Sequence, residues 1–298
     1  MKSWIKAFRL RTLPLAFAGW LVGSTLAGNV IALNYSIAGL TLLTAFFLQI
    51  LSNLANDYGD ASSGVDEKRT GEERMVSSGR ISPQAMKNAM IIFSILSLIS
   101  GLFLLQLAFP EDFFSAIVFL LIGLIGIAAA IKYTVGKNPY GYAGFGDLFV
   151  FVFFGLVLVF GTYYLQTKAL DWEILLPSAS LGLFSVGVLN VNNIRDIESD
   201  KAAGKNSIPV RIGRTKAVRY HIFLLQGGML LSIVFVLLTF QSWVGLLFVL
   251  VNILFIKNIR AVSYKPTSQL DPYLKQMAIS TLLFSILFSV GQVLSFFI

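Results

Sequence analysis

Nine stretches of this 298-residue chain are each long and apolar enough to cross a bilayer: residues 13–33, 35–56, 88–108, 113–131, 146–167, 173–193, 218–238, 241–257 and 277–297. A spanning helix needs about 20 mostly apolar residues, and inside the hydrocarbon core every backbone N–H and C=O must find its partner within a helix or a closed barrel. Barrel strands are about ten residues long and alternate in polarity; these stretches do neither. An all-α integral membrane bundle of nine transmembrane helices, folded as one domain over residues 1–298, is the expected architecture. Charge agrees with this. Only 13% of residues are charged, about half the share typical of a soluble domain. The opening "MKSWIKAFRLRTLPLAF" is basic and then apolar like a signal peptide, but the apolar run continues without a cleavage site. It reads as a retained first helix.

The basic residues orient the bundle. With the N-terminus in the cytoplasm, every Lys and Arg except Lys168 falls on the cytoplasmic side. Glu111, Asp112, Asp171 and Glu173 sit opposite, beside Lys168. This asymmetry requires an odd number of spans and puts the C-terminus outside. The net charge of +8 is therefore mostly topology, and no nucleic acid partner is implied. Without cysteine, neither a disulfide framework nor a thiolate metal site can form. The single histidine, His221, excludes a site built on several His ligands and reads as a satisfied or interfacial side chain.

Two acidic clusters stand out against this apolar background. "NLANDYGDASSGVD" (53–66) closes the second stretch, and "NVNNIRDIESDKAAGKNSIPVRIGR" (190–214) closes the sixth. Asn53, Asp57 and Asp60 share one helix face through steps of four and three, and Asn192, Asp196 and Asp200 do so through steps of four. Both clusters end an even-numbered helix, which suggests a pseudo-repeat of helices 1–4 and 5–8 with helix 9 appended. A helix C-terminus carries partial negative charge and favours cations, so Asp is the wrong residue for simple capping there. Carboxylates that converge need a counter-cation, and oxygen ligands without Cys or His select a hard ion. Mg²⁺ commonly binds through one or two carboxylates plus substrate phosphates, so two facing clusters suit two Mg²⁺ ions on a diphosphate. Arg69, Arg74, Lys205 and Arg211 follow the clusters and are candidates to neutralise the remaining phosphate oxygens.

Together with "RTGEERMVSSGRIS" (69–82), "RLRTLPLAF" (9–17) and "IKYTVGKNPYGYAGFGD" (131–147), these motifs resemble the UbiA superfamily of membrane aromatic prenyltransferases, in its 1,4-dihydroxy-2-naphthoate branch. "GEER" at 71–74 and Leu10 depart from the family pattern without removing a candidate ligand. The resemblance implies helices around a central cavity that opens to the cytoplasm and to lipid. It implies Mg²⁺-dependent transfer of a polyprenyl group from its diphosphate to an aromatic acid, with loss of CO₂, in the bacterial inner membrane. By resemblance, Asn56, Asp57, Asp60 and Asp66 form one metal cluster and Asn193, Asp196 and Asp200 the other. Asn53 and Asn192 ligate or orient their neighbours and contact the diphosphate.

Tyr58, Tyr133, Tyr140 and Tyr142 are candidates to face an allylic carbocation, because aromatic faces attract cations. The acceptor's carboxylate needs a cation, for which Arg9, Arg11, Lys132 and Lys137 are available. "GYAGFGD" (141–147) is glycine-rich but lacks a nucleotide-binding context, so it reads as the entry to the fifth helix with Asp147 near the cavity mouth. Another aromatic acceptor, such as 4-hydroxybenzoate or homogentisate, is an alternative on the same fold. A secondary transporter is a more distant one, since transporters place their intramembrane acids near the midplane on broken helices.

Overall fold

The computed structural model describes residues 2–62 and 74–297; Asp66 and Arg69 lie outside them. Nine long helices are present among the described residues: α1 (Leu13–Gly28), α2 (Tyr35–Ser62), α3 (Pro83–Ala108), α4 (Phe113–Lys132), α5 (Gly146–Thr167), α6 (Trp172–Arg195), α7 (Ile208–Leu238), α8 (Trp243–Tyr264) and α9 (Asp271–Phe297). The last eight are long and apolar enough to cross a bilayer. With 16 residues, α1 is about 24 Å long and is preceded by a short helix, Lys2–Phe8, and a turn at Leu10–Thr12. No strand occurs among the described residues.

Several helices outrun their apolar stretches. Expected to end at 56, α2 continues to Ser62, carrying Asp57 and Asp60 within its last turns. Expected to start at 218, α7 begins at Ile208 and is broken at Gly213, where φ is +76°. The extension of α2 packs against protein, with Asp57, Gly59 and Asp60 buried, whereas that of α7 is exposed or half-buried, with only Pro209 and Ala217 buried before residue 218. In α1 the opposite holds: it ends at Gly28, five residues short of the apolar run.

Two large cores hold the bundle, with a third, small one where α2, α3, α4 and α5 meet around Ile37, Leu104 and Leu165. The larger joins α1 and α5–α9 through the fully buried rings of Phe184, Phe248, Phe255, Phe284 and Phe288. Phe184 and Phe284 meet edge-on with centroids 4.7 Å apart, a favoured aromatic geometry. Lipid tails are as apolar as leucine, so small residues and close approach drive helix pairing in a membrane. The α5–α6 seam shows this. A Cβ on Gly155 would lie 2.5 Å from the Ser178 carbonyl, and one on Gly182 would lie 2.7 Å from Phe151 Cδ2. Residues Phe151–Phe160 of α5 are wound as a π-helix along that seam, a winding that recurs at functional sites. The smaller core joins Lys2–Phe8, α2, α3 and residues 75–81 around Leu51, Leu54, Met75 and Met86. Outward-facing side chains such as Ile91, Phe103, Phe114, Phe223 and Leu250 are exposed, as lipid-facing positions require.

Buried in the larger core, His221 has Nε2 2.9 Å from Asn258 Oδ1. Asn258 also bonds the Tyr273 carbonyl and Gln276. This polar knot ties α7, α8 and α9 together at a distance from the acidic clusters.

Candidate active site

Between the two cores runs a cavity of about 380 Å³, walled by α2, α3 and α4 on one side and by α1, α5 and α6 on the other. One end is polar, lined by Arg11, Asn53, Asn56, Asp60, Arg74, Asn192 and Lys205. The rest is an apolar shaft between Leu48, Leu98, Phe119, Phe153 and Leu165. Alternating helix directions bring the ends of α2, α4 and α6 and the starts of α1, α5 and α9 to the polar end. This is how two motifs about 140 residues apart in sequence come together.

The helical phase of α2 decides which acidic side chains reach the cavity. At about 100° per residue, Asn53, Asn56 and Asp60 fall within about 60° of one another, while Asp57 lies about 100° from Asn56. Asn53, Asn56 and Asp60 line the cavity; Asp57 does not. Asp57 is 1% exposed, and its two oxygens accept the backbone N–H groups of Met75 at 3.0 Å and Val76 at 2.9 Å. Asp60 accepts from Arg74 Nη2 at 2.8 Å and from the Tyr142 hydroxyl at 2.9 Å. Thr134 Oγ1 donates to the Ala55 carbonyl at 2.9 Å and lies 3.4 Å from Asn56 Oδ1. Gly59 makes this approach possible, since a Cβ there would stand 2.6 Å from both Thr134 oxygens.

The second motif straddles a helix break. α6 ends at Arg195, Asp196 has φ −95° and ψ 13°, and a short helix, Ile197–Ala202, follows. Asn192 lines the cavity, whereas Asn193, about 100° round the helix, is turned into the interior with Oδ1 buried and without a hydrogen-bond partner. Asp196 is clamped by Arg195, through Nε at 2.7 Å and Nη2 at 2.8 Å. The same guanidinium reaches Asp271 at the start of α9 (2.6 Å) and Asn192 Oδ1 (2.9 Å). Asp200 is 2% exposed and meets Lys205 Nζ at 3.3 Å and Ser207 Oγ at 3.4 Å. Lys205 reaches into the cavity. Asp57, Asp60, Asp196 and Asp200 therefore each face a protein donor, and the last three also face a cation. Among the described residues no three carboxylates converge on one point.

The aromatic and basic candidates divide as well. Tyr133 and Tyr140 line the cavity, edge-on to each other at 5.4 Å. The Tyr140 hydroxyl donates to the Ala129 carbonyl at 2.9 Å, and burial pushes its phenol above the usual tyrosine range, so it stays a neutral donor. Tyr142 does not line the cavity but reaches Asp60, with Lys205 Nζ 5.8 Å from its ring centroid. Tyr58 packs against the smaller core instead. Arg9 and Arg11 line the polar end, Arg11 lying 3.9 Å from Asp271. Lys132 and Lys137 are exposed and outside the lining. Arg211 is exposed, bonding the Asn206 carbonyl at 3.0 Å and the Ala143 carbonyl. Asp147 is off the cavity and accepts from the Tyr220 hydroxyl at 3.0 Å. Sequence reasoning missed Gln49, Thr12 and Asp271. Gln49, Asn53, Asn56 and Asp60 recur at steps of four, three and four along α2, and that stripe was the available signal.

An apolar shaft ending in carboxylates, amides and cations, set in a multi-pass membrane bundle, defines a protein that holds an amphiphilic anion by head and tail. Residues 12–284 match the UbiA prenyltransferase family, and the chain belongs to it. It is 45% identical to the 1,4-dihydroxy-2-naphthoate octaprenyltransferase of Haemophilus influenzae over 98% of this chain and 96% of that one. To the enzyme of the same name from Escherichia coli it is 44% identical over 99% and 96%. In fold it is similar to a UbiA homolog from Aeropyrum pernix, with a TM-score of 0.69, 17% identity and coverage of 95% and 96% of the two chains. A UbiA homolog from Archaeoglobus fulgidus bound to GPP and Mg²⁺ gives a TM-score of 0.63 at 17% identity, covering 98% of this chain and 100% of that one.

Proposed function

We propose that this chain transfers a polyprenyl group from polyprenyl diphosphate to 1,4-dihydroxy-2-naphthoate with loss of CO₂, giving demethylmenaquinone. The amphiphilic cavity carries the reading of the donor: an isoprenoid tail suits the shaft, and a diphosphate suits the polar end. The two naphthoate-prenylating relatives, matched over nearly the whole chain, support the acceptor. As the prenyl C–O bond breaks, the electron pair leaves with the diphosphate. The ring carbon bearing the carboxylate forms the new C–C bond, and the pair from the departing carboxylate restores aromaticity as CO₂ is released.

Arg74 and Lys205 bind the diphosphate. In the structure they neutralise Asp60 and Asp200, so they already lie beside the residues the head group must approach. The donor set fits magnesium, being oxygen only and including the orphaned buried oxygen of Asn193. Asn56, Asp60 and Asp66 would hold the ion from the first motif, and Asn193, Asp196 and Asp200 from the second. When bound, Mg²⁺ stabilises negative charge that builds on the leaving diphosphate. Asn53 and Asn192 orient these neighbours. Tyr133 and Tyr140 wall the space beside the head group, and the shaft excludes water that would trap a cationic prenyl group. Arg9 and Arg11 are the cavity's candidates for the acceptor carboxylate. A cytoplasmic polar end is the reading that the charge asymmetry supports.

The test is an assay of purified protein with a polyprenyl diphosphate, offering 1,4-dihydroxy-2-naphthoate and 4-hydroxybenzoate side by side, with Mg²⁺ or with EDTA. Prenylated naphthoate with CO₂ release, abolished by EDTA, is the expected result. Turnover of 4-hydroxybenzoate alone would overturn the acceptor, and no transfer to either by folded protein would overturn the reaction.

A further inference from the structure

Gln49 lies midway along α2 and lines the cavity, yet it is 8% exposed. Its Nε2 donates to Thr12 Oγ1 at 3.2 Å and to Asn53 Oδ1 at 3.3 Å. The orientation of this amide follows by elimination. Asn53 Nδ2 donates to the Phe8 carbonyl at 2.9 Å, which only a donor can satisfy, so Asn53 must present Oδ1 to Gln49. The Thr12 hydroxyl spends its proton on the Arg9 carbonyl at 3.0 Å, leaving lone pairs for Asn53 Nδ2 at 2.8 Å and for Gln49. Both neighbours therefore require the NH₂ end of Gln49, and its Oε1 is left buried without a hydrogen-bond partner.

A buried, unmet acceptor is costly, and a polar side chain held at membrane depth usually marks a functional position. The partner that completes Gln49 must bring a proton. A polyprenyl diphosphate cannot do so: its tail has no polar atom and its head is all acceptors when ionised. A hydroxyaromatic acceptor brings O–H groups. Along α2, Gln49 is seven residues from Asn56 and eleven from Asp60, about 10 and 16 Å along the axis. That separation leaves room for an aromatic ring between the amide and the head-group end.

We propose that Gln49 Oε1 accepts a hydrogen bond from a phenolic hydroxyl of the aromatic acceptor, and that Thr12 and Asn53 exist in this network to aim it. The proposal rests on the prenyl-transfer reading above and adds the residue that orients the second substrate. A site built around a substrate hydroxyl rejects the analogue lacking it, because its own polar group is then left unmet.

The experiment is equilibrium titration of the full-length protein, under reducing conditions, with 1,4-dihydroxy-2-naphthoate, 1-hydroxy-2-naphthoate and 4-hydroxy-2-naphthoate, followed by ligand fluorescence. Wild type is expected to bind the dihydroxy compound about tenfold more tightly than one of the two monohydroxy compounds, the ratio for one net hydrogen bond of ordinary to good strength. In Q49M that ratio falls to about one, while the apparent affinity for polyprenyl diphosphate is unchanged. Equal binding of all three compounds by wild type, or an undiminished ratio in Q49M, overturns the proposal. Should Q49M fail to fold, equal binding of the three compounds by wild type still overturns the proposal, and the ratio is read instead in Q49L. If no naphthoate binds but wild type prefers 4-hydroxybenzoate tenfold over benzoate and Q49M does not, the naphthoate assignment falls and the role of Gln49 stands. If no hydroxyaromatic binds at all, both fall.

Discussion

Asp57 offers a sharp test of which carboxylates meet the metal and which hold the site together. Both of its oxygens are occupied by the N–H groups of Met75 and Val76, and it is almost fully buried. Those two residues follow Arg74, whose guanidinium reaches Asp60 at 2.8 Å. Asp57 is thus an anchor that presents Arg74 to the cavity. A hydrogen bond to a charged acceptor contributes about 1.5–3 kcal/mol, so Asp57→Ala costs the 74–81 segment about 3–6 kcal/mol, less whatever entering water restores. Asp57→Asn keeps one acceptor and turns an NH₂ toward the other N–H, for a loss of about 2–3 kcal/mol. The expected phenotype is a diphosphate KM raised about tenfold or more, with faster amide exchange at Met75 and Val76 and with Mn²⁺ binding, followed by electron paramagnetic resonance, retained. Arg74→Ala should raise KM similarly, and the double variant should fall well short of the sum, since both changes remove one contact. If Asp57→Ala instead abolishes Mn²⁺ binding as Asp60→Ala does, while Met75 and Val76 stay protected, Asp57 is a metal ligand and the anchor is wrong.

The other predictions concern the surroundings of the same cavity and the opposite face. Lys205→Ala is expected to weaken diphosphate binding about tenfold while leaving kcat within a few fold; an unchanged KM would remove it from the head-group site. Arg195→Leu removes both guanidinium contacts from the buried Asp196 carboxylate and cuts the link to Asp271, and is expected to lower stability by about 3–5 kcal/mol, read as a drop in Tm in detergent; a Tm within a degree or two of wild type would contradict the clamp. Gly59→Ala forces a Cβ to within 2.6 Å of Thr134, for a cost of about 1–3 kcal/mol and reduced transfer; full activity would show that the α2–Thr134 contact is dispensable. On the far face, burial holds the Lys168 ammonium down to about 8, with Asp112 partly opposing the shift. The unfolded chain then binds more protons than the native one between about pH 8 and the ordinary lysine value near 10.5, so stability should rise with pH across that window. Lys168→Met should abolish the rise.

Fold class was legible because the bilayer leaves a chain so few ways to satisfy its backbone: length and apolarity alone imply helices, and Lys168 as the lone basic residue among acids implies their alternation. The site was legible at the level of motif and less so at the level of atom. Steps of three and four put Asn53, Asp57 and Asp60 on one face, but a face on a helix is wide. The cavity meets only the sector holding Asn53, Asn56 and Asp60, and nothing within α2 says where that sector begins. What decides it lies elsewhere in the chain: Thr134 packed against Gly59, and the backbone of Met75 and Val76 drawn to Asp57. Arg195 was similarly hidden. Beside two acidic residues it reads as a topology charge, and only the arrival of Asp271, 76 positions away, makes it the junction of α6 and α9. Gln49 was visible as an amide in a greasy helix, but its meaning depends on three hydrogen bonds around Thr12 and Asn53 that leave one oxygen over. Spacing along one helix identifies residues that are able to act together; contacts from other helices decide which of them face the substrate and which hold the others in place.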